Sequence, residues 1–165
     1  MFIRFISTGG TIDKIYFDAS SNFEVGDSQV RHILAEGLVG FDYDVVPLFR
    51  KDSLEMTAGD RQQLRDFIRG DDAKLYVITH GTDTITETAA VLQTISDKSM
   101  VLTGALSPAR FRSTDAVFNV GMAVAAVQLV PPGVYIVMNG EVFAAGETVK
   151  NREANRFERI TRSPM

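Results

Sequence analysis

Short apolar runs alternate with stretches of helical spacing along almost the whole chain. The runs are nearly continuous in apolar residues, a pattern typical of parallel strands that are buried on both faces. The stretches between them repeat apolar residues every three or four positions, which predicts amphipathic helices. Strands are predicted at 1–7, 43–49, 74–79, 99–103 and 133–139, and helices are predicted at 27–38, 57–70, 84–96 and 114–130.

This alternation predicts an α/β fold. The expected architecture is a doubly wound, mostly parallel sheet with helices on both faces, as in flavodoxin-like and Rossmann-like three-layer sandwiches. Residues 140–150 are predicted to form a short hairpin or an excursion at the sheet edge. The chain has 165 residues, a length that fits one domain spanning 1–165 with a sizeable core.

The composition excludes several classes of function. The formal net charge is -4, so no basic surface favours nucleic acid or an anionic membrane. There is no cysteine, which excludes disulfides and thiolate chemistry and leads us to expect a cytoplasmic protein. The apolar stretches are too short for a membrane span, and the N-terminus has no signal-peptide pattern. Arginine and glutamate alternate after position 150, which predicts a solvated tail.

Threonine and glycine follow three of the predicted strands. The segments are TGGT at 8–11, HGTDT at 80–84 and LTGALSP at 102–108. Since the carboxyl ends of parallel strands share one edge of a sheet, we expect these three loops to face one ligand-binding crevice. The glycine spacing matches neither of the common phosphate-binding motifs. A tight turn explains the glycines, but it does not explain the hydroxyl groups beside them.

A threonine hydroxyl attacks a substrate only after a base has removed its proton. His80 adjoins the second loop, whereas His32 lies on a predicted helix and is expected to pack or to meet solvent. Lysine is the other available base, although its pKa of roughly 10.4 would have to be lowered by burial or by a nearby cation. Lys14 and Lys150 are the candidates, and by sequence alone each is more often a solvated surface charge.

Two predicted helix starts have capping patterns. Thr57 with Asp60, and Thr84 with Glu87, have the spacing of a capping box. Asp83 precedes the second of these helices and has two interpretations, a helix cap or a partner for the ammonium group of a ligand. The residues alone favour the cap.

Five segments, taken in order, resemble the bacterial-type L-asparaginases and glutaminase-asparaginases. TGGTID, HGTDT and LTGALSP have the order and approximate spacing of that family, and DSLEMT at 52–57 is similar to its substrate-carboxylate segment. VYIVMNGEVFAAGETVK, at 134–150, is similar to the strand and hairpin that lead to its essential lysine. The resemblance implies an amidohydrolase that converts L-asparagine to L-aspartate and ammonia, with L-glutamine a poorer substrate and with no cofactor or metal.

The resemblance implies catalytic roles for individual residues. Thr11 matches the nucleophile that forms an acyl-enzyme, and Thr82 matches the second catalytic threonine. Lys150 matches the lysine that is hydrogen-bonded to this second threonine. Asp83 matches the carboxylate that holds the α-ammonium group of the substrate.

Other positions match substrate contacts of the family. Ser53 matches the residue that binds the α-carboxylate, and the backbone carbonyl of Ala105 matches a contact to the scissile amide. The loop amides around Gly10, Gly81 and Thr82 are expected to serve as oxyanion donors.

The chain departs from the family pattern at two side chains. Phe23, in SNFEVG, stands where the family has a tyrosine whose hydroxyl is expected to help deprotonate the nucleophile. Tyr16 is the nearest substitute for that catalytic group, with packing of the loop as its equal alternative. Leu54 stands where many members have a polar residue that contacts the amino-acid head of the substrate, so we expect affinity or specificity to differ.

The sequence ends where the interdomain linker of the family begins, without the small C-terminal domain of typical members. Complete coverage of the amino-terminal motifs favours a self-sufficient domain over a gene fragment. A homo-oligomer, either a dimer or a tetramer, is expected to enclose the site in part. Two other functions stay open: an amino-acid-binding domain with little or no turnover, and a subunit related to amidotransferases.

Overall fold

The computed structural model describes residues 1–17 and 22–160, within which ten strands and four α-helices form. The strands are β1 (Phe2–Gly9), β2 (Lys14–Phe17), β3 (Asn22–Val25), β4 (Asp42–Lys51), β5 (Leu75–Thr79), β6 (Ser99–Thr103), β7 (Gly133–Met138), β8 (Glu141–Ala144), β9 (Thr148–Asn151) and β10 (Arg156–Arg159). The helices are α1 (Val30–Glu36), α2 (Ala58–Gly70), α3 (Ile85–Leu92) and α4 (Ala116–Val127).

Six of these strands form the central sheet, in the order β4-β1-β5-β6-β7-β8. The first five run parallel, and β8 pairs antiparallel with β7 at one edge. The chain forms β4 on one side of β1 and then crosses to the other side to form β5, so the strand order reverses at β1. In doubly wound sheets, ligands bind in the crevice at this reversal.

Helices cover both faces of the sheet, as the continuous apolar runs predict. Ile6 of β1 packs in a core that also contains apolar residues of α2 and α3. The preceding residue, Phe5, points to the opposite face and packs with residues of α1 and α4. The predicted three-layer α/β sandwich is therefore confirmed. Across residues 1–17 and 22–160, none of the helices has both the length and the apolar character needed to cross a bilayer.

Two small hairpins flank the central sheet. The β2–β3 hairpin, which no sequence pattern predicts, places Tyr16 directly across from Phe23. The predicted excursion at 140–150 is confirmed, since β8 forms the sheet edge and the chain then enters β9. The solvated tail predicted after position 150 is wrong for 156–159, because these residues form β10 and Phe157 is buried.

The two predicted capping boxes have different outcomes. At α2 the box is confirmed, because Asp60 N donates to Thr57 Oγ1 at 3.2 Å and Thr57 N donates to Asp60 Oδ2 at 2.8 Å. At α3 the prediction is wrong, because Thr84 makes no capping bond and its hydroxyl donates to the Ser53 carbonyl at 2.8 Å. A contact between two loops replaces the local cap.

Candidate active site

The turn that carries Thr11 is held against two other loops. Gly9 and Gly10 have φ of 95° and 89°, and Thr11 then begins a single turn of 3-10 helix. The Gly10 amide donates to the Lys51 carbonyl at 2.9 Å. A Cβ at Gly10 would lie 2.4 Å from the Gly81 nitrogen, which is too close for any side chain. Gly10 is therefore required for the approach of the first threonine loop to the second.

Ser53 lies directly beneath the second threonine loop. A Cβ on Gly81 would come within 2.6 Å of Ser53 Oγ, so the Gly81 backbone packs against the Ser53 side chain. Ser53 is 1% exposed, and its hydroxyl has no hydrogen-bond partner within the described part of the chain. Leaving a buried hydroxyl unpaired costs about 1–3 kcal/mol. This cost is removed if a ligand that enters the crevice supplies the missing partner.

Lys150 connects the second threonine loop to the β9–β10 hairpin. Its Nζ donates to Thr82 Oγ1 and to Asp83 Oδ1, both at 2.8 Å. The hairpin is anchored by Phe157, which pairs across the strands with Lys150 and packs in the sheet core. Because the ammonium group is the donor, the Thr82 hydroxyl hydrogen remains available for another acceptor.

Asp83 lies between two cations at the rim of this network. Its carboxylate accepts from Lys150, and Arg152 Nη2 approaches Asp83 Oδ1 to 4.0 Å. The helix-cap interpretation of Asp83 is wrong, because the N-cap of α3 is Thr84 and no side chain caps it. The Asp83 side chain keeps 34% of its surface exposed, so a ligand has access to it.

The third loop is held rigidly from α4. Asn119 Nδ2 donates to the Gly104 carbonyl at 3.0 Å and to Asp115 Oδ2 at 2.8 Å. Asp115 in turn accepts from the Leu106 amide at 3.0 Å, and Ala105 between these contacts is 1% exposed. Asn119 and Asp115 were not among the predicted site residues. The sequence signal for Asn119 is an asparagine within the otherwise apolar stretch AVFNVGMAVAAV.

Tyr16 is not brought into hydrogen-bonding contact with the threonine turn. Its side chain is 54% exposed, and its ring packs edge-on against Phe23 with 5.7 Å between centroids. Phe23 in turn lies 6.0 Å from the ring of Phe111. Neither the Tyr16 hydroxyl nor the Thr11 hydroxyl has a hydrogen-bond partner in residues 1–17 and 22–160. Leu54, the other departure from the family pattern, is 69% exposed.

The histidines do not supply a base at this site. His80 is fully buried, with Nδ1 2.7 Å from the Gly81 carbonyl and Nε2 2.7 Å from Thr88 Oγ1. Burial lowers the pKa of His80 to about 4, so its ring is neutral at neutral pH and supports the loop. His32 lies exposed on α1.

Lys14, the other lysine candidate, forms an ion pair with Asp52 at 2.8 Å. Burial acts to raise the pKa of Asp52, but hydrogen bonds from Lys14 and from backbone amides outweigh it, and the pKa lies below its ordinary value. Asp52 immediately precedes Ser53, so the pair fastens the start of β2 to the serine segment. Lys14 is occupied in this contact, whereas Lys150 bonds directly to a threonine hydroxyl.

The ends of β1, β4 and β5 thus bring threonine, serine and aspartate side chains to the reversal point of a flavodoxin-like sheet, and the β9–β10 hairpin adds the lysine. Fold and site together define an α/β domain with a hydroxyl-rich ligand crevice at the carboxyl edge of its strands. The chain belongs to the asparaginase family, because residues 2–164 match the family domain described as Asparaginase, N-terminal.

Similar proteins agree with this family over part of their length. A segment of 94 residues is 36% identical to a glutaminase-asparaginase of Acinetobacter glutaminasificans and covers 54% of this chain and 28% of that protein. A segment of 97 residues is 35% identical to L-asparaginase 2 of Escherichia coli, and covers 54% of this chain and 28% of that protein. A segment of 68 residues is 44% identical to a glutamyl-tRNA(Gln) amidotransferase component of Methanococcus vannielii, and covers 40% of this chain and 16% of that protein.

The fold is also found in solved structures. The thermostable L-asparaginase from Thermococcus kodakarensis matches with a TM-score of 0.83 at 24% identity, over 99% of this chain and 52% of that one. An identity of this size supports the fold alone. The chain spans about half the length of that structure.

Proposed function

We propose that this chain hydrolyses the side-chain amide of L-asparagine to L-aspartate and ammonia, with L-glutamine as a poorer substrate. The observation that carries the proposal is the hydrogen-bond network of Lys150, Thr82 and Asp83. A lysine that bonds both to a buried threonine hydroxyl and to a carboxylate can move a proton at that hydroxyl while its own charge stays compensated.

The Thr11 hydroxyl is the proposed nucleophile. Thr11 Oγ1 forms a bond to the amide carbon, its proton passes through Thr82 and Lys150 to the Asp83 carboxylate, and the carbonyl electrons move onto the oxygen. The oxyanion collapses, the carbon–nitrogen bond breaks, and the nitrogen takes up a proton and leaves as ammonia. Water then attacks the ester, which releases aspartate and restores the threonine hydroxyl.

Backbone amides of the first two threonine loops stabilise the oxyanion in this scheme. The close approach of Gly10 to Gly81 supports it, since it brings the backbones of both loops within reach of one substrate carbonyl. Loss of one donor of this kind raises the barrier by about 2.7–4 kcal/mol.

The head group of the substrate is assigned to Ser53 and Asp83. The Ser53 hydroxyl, which has no hydrogen-bond partner among residues 1–17 and 22–160, suits the α-carboxylate, which accepts hydrogen bonds. The exposed oxygen of Asp83 suits the α-ammonium group. The carbonyl of Ala105 is assigned to the scissile amide nitrogen. The bond that Asn119 donates to the Gly104 carbonyl and the bond that Asp115 accepts from the Leu106 amide support this assignment.

Tyr16 remains the proposed replacement for the family tyrosine. It lies on β2 directly across from Phe23, so it offers a hydroxyl from the neighbouring strand of the same hairpin. The assignment is tested by Tyr16→Phe, which should lower the rate of acylation if the hydroxyl relays the proton of Thr11. An unchanged rate would leave packing of the hairpin as the role of this ring.

The function is tested by ammonia release from asparagine and glutamine over a concentration series, with aspartate measured in parallel. Thr11→Val removes the hydroxyl at nearly constant volume and should abolish turnover, while Thr11→Ser should retain part of it. Thr94→Val, at an exposed threonine whose hydroxyl donates to the Val91 carbonyl, is the matched control. Equal turnover by Thr11→Val and the wild-type chain would refute the assigned nucleophile.

A binding function without turnover is the second candidate, and the Tyr-to-Phe departure at position 23 favours it. Binding of asparagine or aspartate, detected by calorimetry without ammonia release, would support this candidate. A third candidate is an amidotransferase-related subunit, which is favoured by the 44% identity to an amidotransferase component over 68 residues. Copurification of a second protein, with activity only in that complex, would support it.

Assembly and compartment are also proposals. We infer a dimer or tetramer in which neighbouring subunits enclose the crevice, and light scattering on purified protein tests it. The absence of cysteine fits the cytoplasm, and fractionation of the source cells tests that compartment.

A further inference from the structure

Asp13 is a buried carboxylate two residues after Thr11, and the proposed reaction gives it no role. It is 1% exposed and lies in the same 3-10 turn as Thr11. Its Oδ2 accepts from the Ser7 hydroxyl at 2.8 Å, and its Oδ1 accepts from the Gln29 amide at 2.9 Å. An isolated buried carboxylate is costly unless it is paired or fully hydrogen-bonded. An apolar residue would fill a purely packing role at lower cost.

The contacts of Asp13 join three separate segments. Through Ser7 it is tied to β1, and through its own amide, which donates to the Gly10 carbonyl at 3.1 Å, it closes the turn. Its carbonyl accepts from the Gly26 amide at 2.8 Å, just after β3 ends. The side-chain bond to Gln29 then reaches the start of α1. One residue therefore holds both ends of the β2–β3 hairpin next to the threonine turn.

We propose that Asp13 is a positioning residue of the threonine site: its carboxylate fixes the turn that carries Thr11 and the base of the β2–β3 hairpin in one arrangement. This inference rests on the proposed function of Thr11. The hairpin carries Tyr16 and Phe23, so the same clamp sets where their rings stand relative to the threonine. A small shift of a nucleophile can lower the rate by as much as about 10²-fold.

The charged groups around Asp13 are few. Asp27, from the link between β3 and α1, faces it as a like charge. Arg110, from the loop after β6, donates from its Nε to Gln29 Oε1 at 3.1 Å. Lys14 is directed to Asp52. No cation among the residues described forms an ion pair with Asp13. Its carboxylate is therefore stabilised by neutral donors, the Ser7 hydroxyl and the Gln29 amide.

Burial is the main cause that raises the pKa of Asp13 to about 6, and the bonds from Gln29 and Ser7 oppose it. Only the ionised carboxylate accepts at both oxygens without a competing hydrogen. Protonation below about pH 6 places a hydrogen on one of the two oxygens and weakens the clamp. The catalytic rate of the wild-type chain should therefore fall on the acid side through this group.

The test compares Asp13→Ala, Asp13→Asn and Ser7→Ala with the control Asp27→Asn, which removes the neighbouring charge and leaves both bonds intact. Asp13→Ala should lower kcat by about 10- to 100-fold with KM changed less than about threefold. Asp13→Asn should keep most of kcat, and its rate should no longer fall as the pH decreases through about 6. Hydrogen exchange of the amides at 10–17 and 22–26 should be faster in Asp13→Ala and unchanged in Asp27→Asn.

The outcomes are separable. If the wild-type chain releases no ammonia, the proposed function fails, and the exchange comparison alone decides whether Asp13 clamps the turn and the hairpin. Unchanged exchange in Asp13→Ala overturns the inference, and so does an acid limb that persists in Asp13→Asn. If Asp13→Ala does not fold, Asp13→Asn and Ser7→Ala carry the same comparison, and wild-type rates and exchange in both would overturn the inference.

Discussion

Lys150 donates a 2.8 Å hydrogen bond from its Nζ to Oγ1 of Thr82, a residue 68 positions earlier in the chain. The bond connects a small hairpin outside the central sheet to a loop at the carboxyl edge of that sheet. Lys150 is 15% exposed and also bonds Asp83, so its ammonium group is held in one place. This fixed geometry leads to the first prediction.

Replacing Lys150 with methionine should lower ammonia release by about 10²- to 10⁴-fold, because a proton relay is removed while the aliphatic volume stays. The fold should persist, since Phe157 anchors the hairpin independently. The measurement is kcat/KM for asparagine with circular dichroism as the check on folding. Lys74→Met is the control, since Lys74 forms an exposed ion pair with Asp97. A comparable loss of kcat/KM in Lys150→Met and Lys74→Met would contradict a specific role for Lys150.

Replacing Gly10 with alanine should destabilise the chain and abolish turnover. An L-residue at its φ of 89° and ψ of -174° costs roughly 1–3 kcal/mol, and the new Cβ would lie 2.4 Å from the Gly81 nitrogen. Gly146→Ala is the matched control, because Gly146 has φ of 84° and open space around it. Urea unfolding should give a larger loss for Gly10→Ala, by about 1–3 kcal/mol. An equal loss of unfolding free energy in the two variants would mean that the loops of Gly10 and Gly81 move apart to accommodate the new Cβ.

The pH dependence of stability should change in Asp13→Asn. The pKa of Asp13 is about 6 in the folded chain against an ordinary value of 3.8. The folded state therefore binds the proton more tightly than the unfolded state does. The resulting stabilisation, roughly 3 kcal/mol, is complete below about pH 4 and is lost as the pH rises through about 6.

Asparagine at position 13 does not titrate. The free energy of unfolding of Asp13→Asn, relative to the wild-type chain, should thus rise by roughly 3 kcal/mol from about pH 4 to about pH 7. Urea titrations of both proteins at several pH values check this difference. A difference that stays constant across the range would show that the carboxyl group titrates normally.

Restoring the tyrosine of the family by Phe23→Tyr should raise the rate at least about tenfold, since it returns a hydroxyl to the expected proton path. The ring already stands half-exposed between Tyr16 and Phe111, so an added hydroxyl meets no packing barrier. Phe111→Tyr, in the same aromatic group, is the control and should leave kcat within about twofold. A slower Phe23→Tyr enzyme would indicate that this chain uses another relay.

Sequence patterns were sufficient for the buried elements. The predicted strand at 99–103 has the observed bounds of β6, because a strand covered on both faces is apolar throughout. The cap at Thr57 was predictable because both of its partners are local. The cap at Thr84 failed for the opposite reason, since its hydroxyl bonds Ser53, 31 positions away.

The placement of the candidate site at the strand ends also followed from the sequence, and the family resemblance predicted the bond between Lys150 and Thr82. The other internal contacts did not follow from it. Spacing cannot reveal that Lys14 pairs with Asp52 while Lys150 bonds Thr82, because both depend on hairpins without an apolar signature. Burial of Asp13 was equally invisible, since a short acidic side chain in a loop is usually solvated. The roles assigned to the site residues remain predictions that the experiments above test.

The separation between Thr82 and Lys150 also has a consequence during protein synthesis. When a ribosome has translated the first two threonine loops, it has made every strand up to β5, but the lysine has not yet been added. The contact between Gly10 and Gly81 can form early, whereas the lysine arrives only after β7 and β8 have been made. Domains fold as units when their distant segments become available. The threonine crevice would therefore be completed only after the segment that carries Lys150 has been synthesised.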